Sequence, residues 1–142
     1  MRASLLQSVF PSDSNSLGTL FAGTLVGWMD KASAYAAMRR ARGPVVTAVM
    51  EAIAFRHPIR VGELVEVDAQ VVHVGTTSLR VRIDVWRERL EPGAERDLCV
   101  QGHFTMVAVD DEGRPRPVPP GDDPGAGNDE GVPAGTPSQR HR

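Results

Sequence analysis

One cysteine, Cys99, and an aromatic content of 5% are the scarcities that first bound this 142-residue chain. A lone cysteine leaves no intrachain disulfide and no cysteine-built metal site. Lys and Arg total 16 against 18 Asp and Glu, a net charge of −2, and no basic block appears. Nucleic-acid binding, which relies on clustered Lys and Arg, is disfavoured. No apolar run approaches the ~18 residues that a bilayer span needs. The opening MRASLLQSVFPSDSNS holds one Arg and a short apolar patch, too weak for a secretory signal, so the cytoplasm is the expected compartment. Residues 119–142 lack Leu, Ile, Met, Phe, Tyr and Trp and carry five prolines and five glycines. Such a stretch buries too little surface to offset chain entropy and is expected to be a disordered tail, leaving one folding unit over residues 1–118.

Hydrophobic residues make up 41% of the chain, and within that unit they are arranged in two rhythms. Residues 3–10 form a short apolar run ended by Pro11, and the Ser-, Asp- and Asn-rich stretch 12–17 reads as a loop. From 20 to 42 Leu20, Phe21, Leu25, Trp28, Met29, Ala32 and Ala36 recur at three- and four-residue spacing, which predicts one long helix. Arg39, Arg40 and Arg42 crowd its end, and Gly43-Pro44 is expected to stop it. Gly23 and Gly27 lie inside it at ~1 kcal/mol each against alanine, so close packing against another backbone is the expected compensation. The remainder reads as strands at 45–55, 64–74, 79–86 and 96–109. In LRVRIDVW, Leu79, Val81, Ile83 and Val85 face one way and Arg80, Arg82, Asp84 and Trp86 the other. Pro92-Gly93 marks a hairpin turn and 110–113 closes the last strand. The order is strand, long helix, four strands: an α+β domain with an antiparallel sheet and one helix against a face. A helix apolar over most of its surface needs cover on more than one side, from a wrapping sheet or from dimerisation.

Asp30 stands out on its residues alone. It is the only acid between Asp13 and Glu51, it sits beside Trp28 and Met29, and its i±3 and i±4 neighbours are Val26, Gly27, Ser33 and Ala34. No cation is placed for a helical ion pair. If buried, an unpartnered carboxylate in apolar surroundings is the material of a general base; a solvated or distantly paired carboxylate is the plain alternative. His57, His73 and His103 are scattered without metal-ligand spacing and read as structural. Asn15 and Ser16 read as turn or cap residues, Thr76-Thr77-Ser78 as a hairpin turn, and Cys99 as a buried small hydrophobe. The glycines at the helix start could bare N–H groups toward an anion or a polarised carbonyl.

Four segments in register carry a resemblance over nearly the whole folding unit: NSLGTLFAGTLVGWMD (15–30), PVVTAVMEAIAFRHPIRVGELVEVDAQVV (44–72), GTTSLRVRIDVW (75–86) and HFTMVAVDDEGRPRPVP (103–119). Together they resemble the hotdog-fold acyl-CoA thioesterases of the YciA and cytosolic acyl-CoA hydrolase type. The resemblance implies a hotdog fold, an antiparallel sheet wrapped around one long central helix. It implies dimers with a continuous sheet, assembling further into trimers of dimers, and active sites built from both subunits. It implies hydrolysis of an acyl-CoA to free acid and CoA without metal or redox cofactor. Asp30 matches the catalytic acid, as general base on water or as nucleophile. Asn15 matches an Asn that holds the water or thioester and acts with the Asp of the partner subunit. Ala22 and Gly23 match the backbone oxyanion donors, and Thr47, Thr77 and Ser78 match positions lining the site, which reverses the plain turn reading of that hydroxyl cluster. Arg56 and His57, in the FRHP turn, are placed for CoA phosphates, with solvated surface as the plain alternative. Two departures stand out: Ala22-Gly23 replaces Gly-Gly, adding a methyl that narrows the channel or forbids a positive φ, and Leu17 replaces a polar residue. Two other readings compete: a non-catalytic acyl-CoA binding module in the same pocket, against which Asn15 and Asp30 argue, and a hotdog dehydratase, against which the lack of any His before His57 argues.

Overall fold

Alternating strands with one apolar face need a partner for that face, and the long helix is the partner this chain supplies. The computed structural model describes residues 1–121. Its elements are β1 (Arg2–Ser8), a 3-10 turn (Pro11–Asp13), α1 (Ala22–Ala41), β2 (Val45–Phe55), β3 (Leu64–Val74), β4 (Ser78–Glu88) and β5 (Asp97–Ala108). The five strands form one sheet in the order β1-β3-β4-β5-β2, with every neighbouring pair antiparallel. This is the hotdog arrangement that the resemblance implies. The expected tail reaches the folded surface at its start: Arg40 donates to the Pro119 carbonyl (2.6 Å) and Gly121 lies against the Arg40 guanidinium. The rest of it, 122–142, falls outside the described residues.

The core lies between α1 and the sheet. Leu79, Val81, Ile83 and Val85 are fully buried, as their alternation predicts, beside Val65, Val67, Val100, Phe104 and Met106. Each such side chain is worth ~1.5–3 kcal/mol when fully buried. From the helix Leu25, Met29, Ala32, Ala36, Ala37 and Ala41 meet them at three- and four-residue spacing. Met29 and Ile53 pack closely over Gly102: a Cβ there would stand 3.2 Å from both Met29 Cε and Ile53 Cγ1, so both side chains would have to give way.

One expectation about glycine is corrected. Gly23 and Gly27 do not pack against a second backbone within this chain. Both are exposed, a Cβ on Gly27 would meet nothing within 4 Å, and one on Gly23 only the Phe21 ring. The helix ends at Ala41, just before Gly43-Pro44 as expected; Arg42 takes the left-handed conformation (φ 60°), and the N–H groups of Arg42 and Gly43 both close on the Met38 carbonyl. A Cβ at Gly43 would have to push aside the end of the Arg116 side chain, whose guanidinium donates to the Ala41 carbonyl (2.9 Å) and caps the helix.

β2 is an edge strand with no proline and no lysine, and Val46 (48% exposed) and Met50 (41%) stand in solvent. Long apolar edges of this kind invite pairing with another chain. The strand carries two irregularities against β5, at 47/49 and 51/54, and Ala52 in the second has φ 56°. The outer sheet face is polar and cross-linked: Arg80 pairs with Glu51, Gln101 donates to Asp84 (3.1 Å) and Arg56 to Gln101 (2.9 Å). No helix among the described residues is long and apolar enough to cross a membrane.

Candidate active site

The loop that enters α1 is organised by Asn15. Its Oδ1 accepts the N–H groups of Leu17 (2.9 Å) and Thr19 (3.2 Å), and its Nδ2 donates to Thr19 Oγ1 (2.9 Å). Gly18 turns the chain with φ 76°, a conformation that favours glycine. The loop is then stitched to the stretch after β2, because Leu20 N–H donates to the Ile59 carbonyl (2.6 Å) and Val61 N–H to the Gly18 carbonyl (3.2 Å). The plain reading of Asn15 as a turn residue describes its bonds within the chain.

Phe21 then serves as N-cap without a side-chain acceptor. The first N–H groups of a helix have no intrahelical partner, so those of Ala22 and Gly23 are left to an external acceptor at the positive end of the dipole. Both residues are exposed. Ala22 has no positive φ, so the alanine that replaces the usual glycine is accommodated without strain.

Beside this helix start opens a cavity of about 280 Å³. Leu20, Leu25, Ile59 and Val100 give it an apolar floor, Ala22 lies on its wall, and Thr19, Arg56 and His57 bring polar groups to it. The structure thus gathers four of the expected site residues at one place: Ala22, Arg56 and His57 directly, and Asn15 through Thr19.

Asp30 lies elsewhere. It is half-buried, two turns along α1, and Thr47 Oγ1 from β2 donates to its Oδ1 (2.5 Å). This joins two further expected site residues and corrects the expectation of an acid without a partner: the partner is a neutral hydroxyl on the adjoining strand. Eight residues at 1.5 Å each put Asp30 about 12 Å along the helix from Ala22. Thr77 immediately precedes β4 and Ser78 opens it, two strands from Thr47 in the sheet order. Both are buried, and Thr77 Oγ1 has no hydrogen-bond partner. Among the described residues no cluster of His, Cys, Asp and Glu suits a metal ion. Cys99 is the buried hydrophobe expected, and burial pushes its thiol pKa up.

Two residues that sequence reasoning passed over stand next to the cavity. Arg87 and Asp97 face each other across β4 and β5. Arg87 follows Leu79, Val81, Ile83 and Val85 in the inward alternation, so a cation stands where the pattern asks for an apolar residue; that break was the available signal. Its Nε (3.1 Å) and Nη2 (2.7 Å) both reach Asp97 Oδ2. The hydrogen bond from Arg87 holds the Asp97 carboxyl below its ordinary range, and Asp97 raises Arg87 in turn.

The thioesterase superfamily model matches residues 17–94, which include the helix start, Asp30 and the FRHP turn. The chain belongs to the thioesterase superfamily. Acyl-CoA thioester hydrolase YciA of Escherichia coli K12 is 40% identical over 111 residues, 77% of this chain and 84% of that protein. Among solved structures, the acyl-CoA hydrolase of Staphylococcus aureus, in complex with butyryl-CoA, CoA and CoA disulfide, superposes with a TM-score of 0.78 at 35% identity. It covers 86% of this chain and 76% of that one. The hexameric thioesterase of Yersinia pestis gives 0.78 at 35% identity, over 82% and 94% of the two chains. The S. aureus hydrolase has also been solved as alanine mutants of an asparagine and of an aspartate fifteen positions apart, the separation of Asn15 and Asp30 in this superfamily member.

Proposed function

We propose that this protein hydrolyses acyl-CoA thioesters to a carboxylic acid and CoA, in sites shared between two copies of the chain. In each site the thioester carbonyl oxygen accepts the N–H groups of Ala22 and Gly23, where the helix dipole favours the negative charge that develops on it. Asp30 of the partner subunit takes a proton from water as the water oxygen bonds to the carbonyl carbon. Thr47 steadies one carboxylate oxygen and leaves the other for the water. Collapse of the tetrahedral intermediate breaks the C–S bond, and the departing thiolate recovers the proton. These steps balance with water alone and need no metal or redox group.

The observation that carries this reading is the separation of the two halves. N–H donors at an uncapped helix start and an acid about 12 Å further along the same helix cannot both touch one carbonyl carbon. Two helices brought side by side can make them meet. The exposed apolar edge of β2 and the open faces of Gly23 and Gly27 support such pairing, and the hexameric relative supports a homo-oligomer built from these pairs. Arg56 and His57 beside the cavity suit the phosphates of CoA, and Thr77 and Ser78 are proposed as further lining of the completed site. The proposed working unit is the folding unit 1–118 in duplicate.

Purified protein is expected to release free thiol from acyl-CoAs of graded chain length. Asp30→Asn, which preserves shape and removes the base, is expected to lower kcat by about 10²–10⁴-fold with the oligomer intact. A wild-type rate in Asp30→Asn would remove the acid from the mechanism. Tight acyl-CoA binding without turnover by the wild type would make this a binding module.

A further inference from the structure

The cavity beside the helix start is bounded by a stretch, 56–59, that is neither strand nor helix, yet it carries Arg56 and His57. A segment that must present two side chains to a ligand needs external fixing, because an unsupported loop disperses its geometry. Three bonds supply it. Arg56 N–H donates to the Cys99 carbonyl (2.7 Å), continuing the β2–β5 register one pair beyond Phe55 and Val100. Ile59 accepts from Leu20 N–H (2.6 Å). Between them, Arg87 Nη1 donates to the Pro58 carbonyl (2.7 Å).

Pro58 therefore rests on a guanidinium that is itself pinned. Arg87 keeps two nitrogens on Asp97 and turns the third to Pro58, and its side chain is only 13% exposed. A planar fork can serve a carboxylate and a carbonyl at once; an ammonium on a flexible stem cannot reproduce that geometry. Ile59, one residue on, holds Leu20, which lies two residues from Ala22. One side chain on β4 thus sits behind the proposed phosphate-facing residues.

We propose that Arg87, held by Asp97, is a positioning residue that fixes segment 56–59 for the phosphate-bearing part of CoA. It touches no reacting atom. This rests on the proposed acyl-CoA reading, and its signature is selectivity: disturbing Arg87 weakens binding of the phosphorylated ligand and spares a ligand without phosphates.

The test compares Kd for CoA and for pantetheine, which has the same thiol arm without phosphates, in the wild type, Arg87→Gln and Arg87→Lys. KM and kcat are measured alongside for an acyl-CoA and for the matching N-acetylcysteamine thioester. Losing one charge-assisted hydrogen bond predicts a rise of about tenfold or more in Kd for CoA and in KM for acyl-CoA. Kd for pantetheine, kcat, and kinetics on the truncated thioester should stay within about twofold. Arg87→Lys should move the same quantities in the same direction, and it carries the test if Arg87→Gln does not fold. Unchanged CoA affinity, or equal losses on both ligands, would overturn the proposal. So would a wild type that fails to bind CoA. A wild type that binds CoA but cleaves no thioester would sink the hydrolase reading alone, with the Kd ratio still deciding this one.

Discussion

Asp30 and His103 show how far a residue's surroundings set its use. Asp30 is half-buried against a threonine hydroxyl and no cation, an arrangement with little purpose in holding a fold together. His103, on the outer face of β5, is held neutral: burial lowers its pKa, and Arg80 and Arg82 lower it further. A histidine whose folded pKa is depressed contributes its full stability above the unfolded value of ~6.5 and loses it as pH falls toward the folded value. Melting temperature should therefore decline on acidification from pH 7 to pH 5, and His103→Gln should flatten that decline. An identical slope in the variant would show that other groups govern it. Asp30 was legible from its isolation among apolar residues, and Asn15, Thr47 and the helix-start N–H groups from the family pattern. Asn15's grip on Thr19 and the Thr47–Asp30 bond were not, because both depend on where chain elements meet. Arg87 was half legible, as a cation on the apolar side of an alternation, but its purpose shows only once Pro58 is seen beside it.

At the scale of elements, β2 is the most consequential strand. The central strands β3 and β4 are flanked by other strands on both edges, and their strict alternation made their faces readable from sequence alone. β2 pairs only with β5 and leaves an apolar edge in solvent. Its extent, Val45–Phe55, was readable; its two register shifts and the positive φ of Ala52 were not, since no glycine or proline marks them. Val46→Lys places a charge on this edge, the device by which monomeric sheets resist pairing. It should shift the protein toward monomer in analytical ultracentrifugation and lower activity in proportion, with little loss of secondary structure. An oligomer that survives the charge with full activity would mean the seam runs elsewhere.

At the scale of the molecule, the proposed function makes the single chain half of a working unit. It supplies a cavity and the proposed oxyanion donors at one end of α1, and an acid about 12 Å away on the same helix. It places two glycines on an exposed helix face, where a Cβ on Gly27 would meet nothing within 4 Å. The helix was readable as over-apolar, which pointed to more cover than one sheet provides; the distribution of the site along it follows only from the observed helix start at Ala22 and the placement of Asp30 against β2. A site divided between subunits has a direct signature. Asn15→Ala and Asp30→Ala are each expected to be nearly inactive as homo-oligomers. When the two variants are unfolded together and refolded, half of the randomly assorted dimers are mixed, and each mixed dimer holds one intact site of two. Acyl-CoA hydrolysis should then recover to about one quarter of the wild-type rate. Mixed material no more active than either variant alone would place Asn15 and Asp30 in the same chain's site and contradict the shared-site account.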